Sequence, residues 1–288
     1  MEKWIKLAAP GFELAATLES GQAFHWHREG DTFHGLIGNT PVRVRQVKQD
    51  FVEAVAGTDT LVSHYLALDH DFTKIRRTLP KGDVHLKRAL KYAPGIRILR
   101  QPKWECLATF ITSSMKQVAH IRQISLTLRE RYGETIVTKE GVKLHAYPTP
   151  AALAKAGEKA LRNCALGYRA GFLHQTAARI ASGEFDLESV AALPDEEALL
   201  RLCELPGVGP KIAQCTLLFS YGRLGVFPID VWIERALREL YFADEKDKVT
   251  SRVLREFAHD HFGPYRGYAQ QWIFHHARTS GIFSRRRE

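Results

Sequence analysis

Leu205-Pro206-Gly207-Val208-Gly209-Pro210-Lys211 is the stretch whose reading decides the architecture of this chain. It lies between two helical patterns. The first opens at Pro194-Asp195-Glu196-Glu197 and runs through Leu199, Leu200 and Leu202, with cap and first-turn acids placed where the positive end of a helix favours them. Two glycines one residue apart permit a tight reversal with N–H groups pointing outward. Pro210 then suits the first position of the following helix, where no N–H is needed. The amides of Gly207, Val208 and Gly209, with the helix macrodipole behind them, make a site for an anion such as a backbone phosphate, held without reading sequence. An ordinary helix–loop–helix corner needs the same glycines, and from the glycines alone both readings stand.

Lys211 changes that balance. It falls in the first turn of the new helix, where macrodipole and desolvation both disfavour the charged ammonium and so favour a nucleophilic amine. Cations belong at the opposite end of a helix, so the placement asks for a chemical reason. Further on, Val226-Phe227-Pro228-Ile229-Asp230-Val231 carries a single acid in an apolar run ahead of another helical pattern. Asp230 fits an N-cap, and it fits a carboxylate that stabilises a cationic transition state near an amine.

Outward from the hairpin the chain changes period. Thr32-Phe33-His34-Gly35-Leu36-Ile37 and Val42-Arg43-Val44-Arg45-Gln46-Val47 alternate with period two around the turn residues Gly38-Asn39, which predicts antiparallel strands with one wet face. Helical patterns are expected at Asp50 to Val55 and at Phe72 to Leu79, the second stopped by Pro80 and Gly82. From about Trp104 the period is helical, with Leu107, Phe110 and Ile111 on one face and Ile121, Ile124, Leu128 and Tyr132 on the next segment. Pro148-Thr149-Pro150 opens a further helix, and Arg285-Arg286-Arg287-Glu288 reads as a solvated tail.

The 288 residues, 45% of them hydrophobic, suffice for one large or two modest domains with a proper core. Lys and Arg number 41 against 32 acids, a net charge of +9 that attracts polyanions. Cys106, Cys164, Cys203 and Cys215 are scattered without a C-x-x-C pair. That spacing points to no disulfide framework, zinc site or iron–sulfur cluster, and to a reducing compartment. The expectation is an intracellular protein of cytoplasm, nucleoid or nucleus: no apolar run reaches membrane-span length, and Lys3, Lys6 and Pro10 interrupt any signal-peptide core.

At this point the residues resemble a known family. Leu205 to Lys211 followed by Phe227-Pro228-Ile229-Asp230-Val231 resembles the hairpin, Gly/Pro-rich loop and Asp of the helix-hairpin-helix DNA glycosylases, and the lysine resembles their bifunctional members. Four further segments are similar to the 8-oxoguanine DNA glycosylases: Ser20 to Trp26, Leu166 to Ala170, Leu202 to Gly209 and Gly263 to Gln270. The resemblance spans nearly the whole chain in the family's order. It implies an α+β fold, with an N-terminal antiparallel sheet domain (residues 1–100) packed on an all-α glycosylase body (residues 101–288). The helix-hairpin-helix would lie at about 195–221. It also implies a monomer acting on double-stranded DNA that contains oxidised guanine, removing 8-oxoguanine and formamidopyrimidine as well, with no cofactor and no metal.

By that resemblance Lys211 attacks the sugar C1′, expels the base and remains as a Schiff base that eliminates the 3′ phosphate, while Asp230 stabilises the oxocarbenium-like state. The base is flipped into a pocket where Cys215 and Phe274 sandwich it and Gln270 meets its Watson–Crick edge. Cys215 and Phe274 read equally as plain core residues. A backbone carbonyl at Gly21 would accept the N7 proton that oxidised guanine has and guanine lacks, a difference of roughly 1–3 kcal/mol when the acceptor is left unpaired. Gly21 also reads as a turn glycine. Tyr168 and Arg169 match the pair that wedges into the duplex and contacts the orphaned cytosine; they also fit a helix end capped by Gly167 with a surface arginine.

The chain departs from the family's pattern in two places. Ser113-Ser114-Met115-Lys116-Gln117-Val118-Ala119-His120 stands where the family has an asparagine-rich run followed by arginine. Met115 then serves as an apolar wedge and His120 as a weaker cytosine reader, so a reduced preference for cytosine opposite the lesion is expected. Trp232 replaces a histidine near the phosphate backbone. The rival readings are a non-catalytic DNA-binding helix-hairpin-helix module, which needs neither Lys211 nor Asp230, a protein that processes only abasic sites, and a glycosylase for another lesion.

Overall fold

The computed structural model describes residues 3–113, 116–138, 141–245 and 249–283. Its strands β1 (Trp4–Ala8), β2 (His27–Glu29), β3 (Thr32–Ile37), β4 (Thr40–Lys48) and β5 (Phe51–Val55) form an antiparallel sheet in the order β1-β5-β4-β3-β2. The alternation in β4 sets its faces: Val42 and Val44 are buried, while Arg43 and Arg45 stay partly in solvent. Gly38 takes φ +59 at the first centre of the two-residue turn that brings Ile37 opposite Thr40. A positive φ there matches the right-handed twist of the flanking strands.

Asp50 to Val55, expected as helix, is β5 instead. Val52 and Ala54 are buried and alternate with exposed or half-buried Phe51, Glu53 and Val55, which is period two. The segment is too short for periodicity to separate helix from strand, and pairing with β1 on one side and β4 on the other decides it.

Helices follow: α1 (Leu14–Leu18), α2 (Asp59–Tyr65), α3 (Phe72–Thr78), α4 (Val84–Tyr92), α5 (Lys103–Ser113), α6 (Val118–Tyr132) and α7 (Pro150–Leu161). The rest are α8 (Arg169–Ala181), α9 (Asp195–Cys203), α10 (Pro210–Ser220), α11 (Val231–Tyr241), α12 (Ser251–Phe262) and α13 (Arg266–Thr279). Thr149 caps α7 through Ala152 N–H, as the Pro-Thr-Pro run predicts. At α9 the acids lie in the first turn, but the N-cap is Pro194, which has no side-chain acceptor. The body is not entirely helical: Thr135–Val137 and Lys143–His145 pair as a small hairpin, β6 and β7. The β-branched run Thr135-Ile136-Val137 favours the extended backbone there.

Two cores result. One joins the sheet to α1 and α2 through Phe12, Leu14, Trp26, Phe33, Val44, Val52 and Tyr65. The other fills the body, and α3 and α4 belong to it through Phe72, Ile75, Leu86 and Ala89. The seam between them is polar. Glu105 of α5 is buried between His25, whose Nδ1 lies 3.1 Å from Oε1, and Arg129 of α6. Burial pushes the Glu105 carboxyl up, but the Arg129 charge and the His25 contact outweigh it and bring it down to about 2. None of the helices among the described residues is long and apolar enough to cross a membrane.

Candidate active site

The hairpin between α9 and α10 uses its glycines differently. Gly207 has φ +76, and a Cβ there would stand 2.6 Å from Phe172 Cβ, so both conformation and space exclude a side chain. Gly209, at φ −92 and ψ 178, is ordinary extended backbone at the N-cap of α10. Nothing lies within 4 Å of the position its Cβ would take, so its absence keeps the approach to the helix end open. The expectation for Val208 needs correcting: its N–H donates to Leu205 O at 3.0 Å and its side chain is buried, because it closes the turn and anchors it to the core. The amides suited to an anion are instead those at the start of α10, which has Pro at its first position and no side-chain cap.

Lys211, in the first turn of α10, is half-buried, with Nζ 5.3 Å from the centre of the Phe110 ring. It acts on the Cys215 thiol one turn on, pulling that group down. Burial pushes that thiol up to about 11, against the pull of Lys211, so Cys215 is a neutral, apolar-faced wall. Asp230 is the N-cap of α11, accepting Ile233 N–H at 2.8 Å. It also feels the Lys211 charge: burial raises its carboxyl, while the Ile233 N–H and Lys211 oppose the rise. The N-cap reading of Asp230 therefore holds. Capping fixes the carboxylate beside the amine.

Gly21 sits at φ +90 with its Cβ position 3.2 Å from Phe274 Cε1 and 3.6 Å from Val118 Cγ2. The loop that presents it is held by buried polar contacts that sequence reasoning missed. Gln22 Nε2 donates to Ser20 Oγ and Arg97 O, Leu99 N–H donates to Gln22 Oε1, and Gln271 Nε2 donates to Ser20 O. The signal was present in the glutamines of the Ser20-Gly21-Gln22-Ala23 and Gln270-Gln271-Trp272 runs, but which groups they would reach depends on contacts up to 251 residues away along the chain. Gln270 is buried on α13, and its Oε1 has no hydrogen-bond partner among the described residues. A cleft of about 360 Å³ runs beside Gly21, lined in part by Phe24, Val118 and Arg122.

The residues expected at the duplex separate. Tyr168 is 55% exposed and meets Phe172, 39% exposed, edge to face at 6.0 Å. Arg169 is 6% exposed, its guanidinium against the Tyr168 ring at 4.4 Å and its Nη1 donating to Leu166 O at 3.4 Å. Helical geometry explains the split, since Arg169, Ala170, Leu173, Thr176 and Ala177 form the buried stripe of α8 and Phe172 lies off it. Phe172, which sequence reading passed over, stands exposed beside Tyr168 and braces Gly207. His120 on α6 and Trp232 at the start of α11 are exposed. Met115, Ser114 and the Arg285–Arg287 tail lie outside the described residues. No group of His, Cys, Asp and Glu among the described residues is placed to hold a metal ion.

Comparison with known proteins bears on the same elements. Residues 5–107 match the 8-oxoguanine DNA glycosylase N-terminal domain, and residues 108–259 match the HhH-GPD superfamily base excision DNA repair protein. An N-glycosylase/DNA lyase of Saccharomyces cerevisiae is 35% identical over 83% of this chain and 71% of its own length. An N-glycosylase/DNA lyase of Arabidopsis thaliana is 29% identical over 94% of this chain and 80% of its own. Among solved structures, the Clostridium acetobutylicum 8-oxoguanine glycosylase/lyase in complex with dsDNA containing cytosine opposite 8-oxoG superposes with a TM-score of 0.88 at 32% identity, covering 98% of this chain and 99% of that one.

Proposed function

This chain belongs to the HhH-GPD superfamily of base excision DNA repair proteins, and from that premise we propose that it excises 8-oxoguanine from duplex DNA and cleaves the strand at the resulting site. The observation that carries the reading is the convergence of Lys211 from α10 and Asp230 from the cap of α11 beside the buried thiol of Cys215.

The chemistry follows from those positions. The phosphate backbone seats on the uncapped start of α10, which brings a flipped nucleotide to Lys211. The Lys211 amine attacks C1′ as the base departs, and the Asp230 carboxylate stabilises the positive charge that develops on the sugar. The Schiff base then permits β-elimination of the 3′ phosphate. The expelled base is held between Cys215 and Phe274, with the buried Gln270 amide at its Watson–Crick edge and the Gly21 backbone at N7. An unpaired buried acceptor costs about 1–3 kcal/mol, so Gln270 Oε1 favours a ligand that donates to it. That acceptor also weighs against a protein acting only on abasic sites, which needs no base pocket. With Arg169 packed inside α8 and His120 where a longer cation is expected, discrimination for cytosine opposite the lesion is weak.

Borohydride trapping tests this. Wild type incubated with a duplex carrying 8-oxoguanine opposite cytosine should yield a covalent adduct that Lys211→Gln does not, and undamaged duplex should yield none. With A, G or T opposite, trapping should fall only modestly. Adduct confined to a pre-formed abasic site would remove the base-excision half of the proposal. Absence of any adduct would leave a DNA-binding module.

A further inference from the structure

Several helices of this chain balance surface charge within about one turn. α7, α11 and α12 pair Arg162 with Glu158, Arg235 with Glu239, Arg238 with Glu234 and Arg252 with Glu256, each four residues apart. Elsewhere Arg100 pairs with Asp69, Arg179 with Glu184 and Arg223 with Asp195. The stretch from α3 through α4 does the opposite. Lys74, Arg77, Lys81, Lys87, Arg88 and Lys91 are all exposed, and no ion pair engages any of them among the described residues.

The two acids of that stretch are both spent as caps. Asp71 accepts Lys74 N–H at the start of α3. Asp83 accepts His85 and Leu86 N–H at the start of α4, and its other oxygen is taken by Tyr241 and His261 of the body. Meanwhile Leu86 and Ala89 turn inward, which leaves Lys87, Arg88 and Lys91 on one outer stripe. Like charges four apart destabilise a helix, so a stripe of this kind works against the fold that carries it.

The stripe also has a location. α4 packs on α13, where the Tyr92 ring lies 5.8 Å from His275 and 5.2 Å from His276. One residue earlier on α13, Phe274 meets Gly21 at the base pocket. Arg278, its guanidinium 5.7 Å from the Phe274 ring and one Nη bonded to Glu19 O, continues the cationic surface between the two. Cations therefore run from the pocket wall outward along α4.

We propose that the outer face of α3 and α4 is a second DNA contact, taking backbone phosphates of the lesion-bearing duplex outside the stretch held at the hairpin. The inference rests on the reading of this chain as a DNA glycosylase. Its partner is chosen by charge and by continuity with the pocket: a duplex presents one negative charge per about 1.7 Å of axis, the spacing that a row of unpaired cations can follow without reading sequence.

The test is full-length protein with Lys87→Gln, Arg88→Gln and Lys91→Gln together, compared with wild type on short and long 8-oxoguanine duplexes across a salt series. On the long duplex the slope of log affinity against log salt should become shallower by about two to three units, since each phosphate contact contributes roughly 0.9. On a short duplex that covers only the lesion site it should not change, and single-turnover excision at saturating DNA should match wild type. An unchanged slope on the long duplex overturns the proposal. So does an equal loss on both lengths, which places the contact inside the lesion site, or a fall in excision at saturation. Failure of wild type to excise at all would instead refute the glycosylase reading.

Discussion

Gly21 stands at φ +90, a conformation that costs a side-chained residue roughly 1–3 kcal/mol, and an added Cβ would press on Phe274 at 3.2 Å. Either the loop retreats or the ring does, and both movements alter the wall of the proposed base pocket. Gly21→Ala is therefore expected to slow 8-oxoguanine excision by roughly tenfold or more, because a buried hydrogen bond to the substrate is what separates near-identical bases. On the proposed mechanism, strand cleavage at a pre-formed abasic site needs Lys211 but no base pocket, and it should stay within about twofold of wild type. Single-turnover assays on the two substrates separate these outcomes; parallel loss on both would mean that Gly21 serves only the fold. Cys215 illustrates the complementary case. Its thiol, raised to about 11, stays uncharged at neutral pH and so offers an apolar face to a base without competing with Lys211 as a nucleophile.

At the scale of the element, the hairpin is held from outside by α8. Gly207 and Phe172 are in such close register that Gly207→Ala must displace α8 at Phe172, whose Cβ is the nearest atom, and the φ of +76 adds strain of its own. Gly207→Ala should weaken DNA binding and lower stability by about 1–3 kcal/mol, and its cost should be smaller in a Phe172→Gly background, which removes the Cβ and the ring together. Denaturant unfolding and DNA titration of the four proteins of this cycle would show it; strictly additive effects would mean that the two residues do not share the contact. This dependence on a neighbouring helix marks the limit of sequence reading. The reversal at Gly207, the start of α10 and the place of Lys211 were legible because each follows from local chemistry. The burial of Arg169 and the bracing by Phe172 were not, since each is set by which face of α8 turns inward; nor was the engaged amide of Val208, which the turn itself closes on Leu205 O. β5 was misread for a related reason. Six residues with two buried positions fit either period until strands on both sides fix one.

Across the whole molecule, the sheet is joined to the body by a buried charge network, and its titration predicts how stability depends on pH. Burial and the Arg129 charge lower His25 below its ordinary 6.5, so the folded protein holds it neutral while the unfolded chain takes up a proton. Its contribution is full above pH 6.5 and is lost as the pH falls toward the folded value. His70 and His275, each brought down to about 4 chiefly by burial, act in the same sense. Glu105, lowered to about 2 from 4.5, contributes above pH 4.5 and loses that contribution as the pH falls toward 2. The melting temperature should therefore be nearly flat just above pH 7, decline from about pH 6.5 and fall further below 4.5. Glu105→Gln tests the seam directly, because it leaves the Arg129 guanidinium buried without its counter-charge. Breaking such a pair costs about 3–5 kcal/mol, and the loss should be present already at pH 7. The variant should also lack the component of acid destabilisation below pH 4.5. Thermal unfolding of both proteins between pH 3 and 8 decides the matter: a variant as stable as wild type at pH 7 would show that the apolar contacts, and not the charge network, hold the sheet to the body.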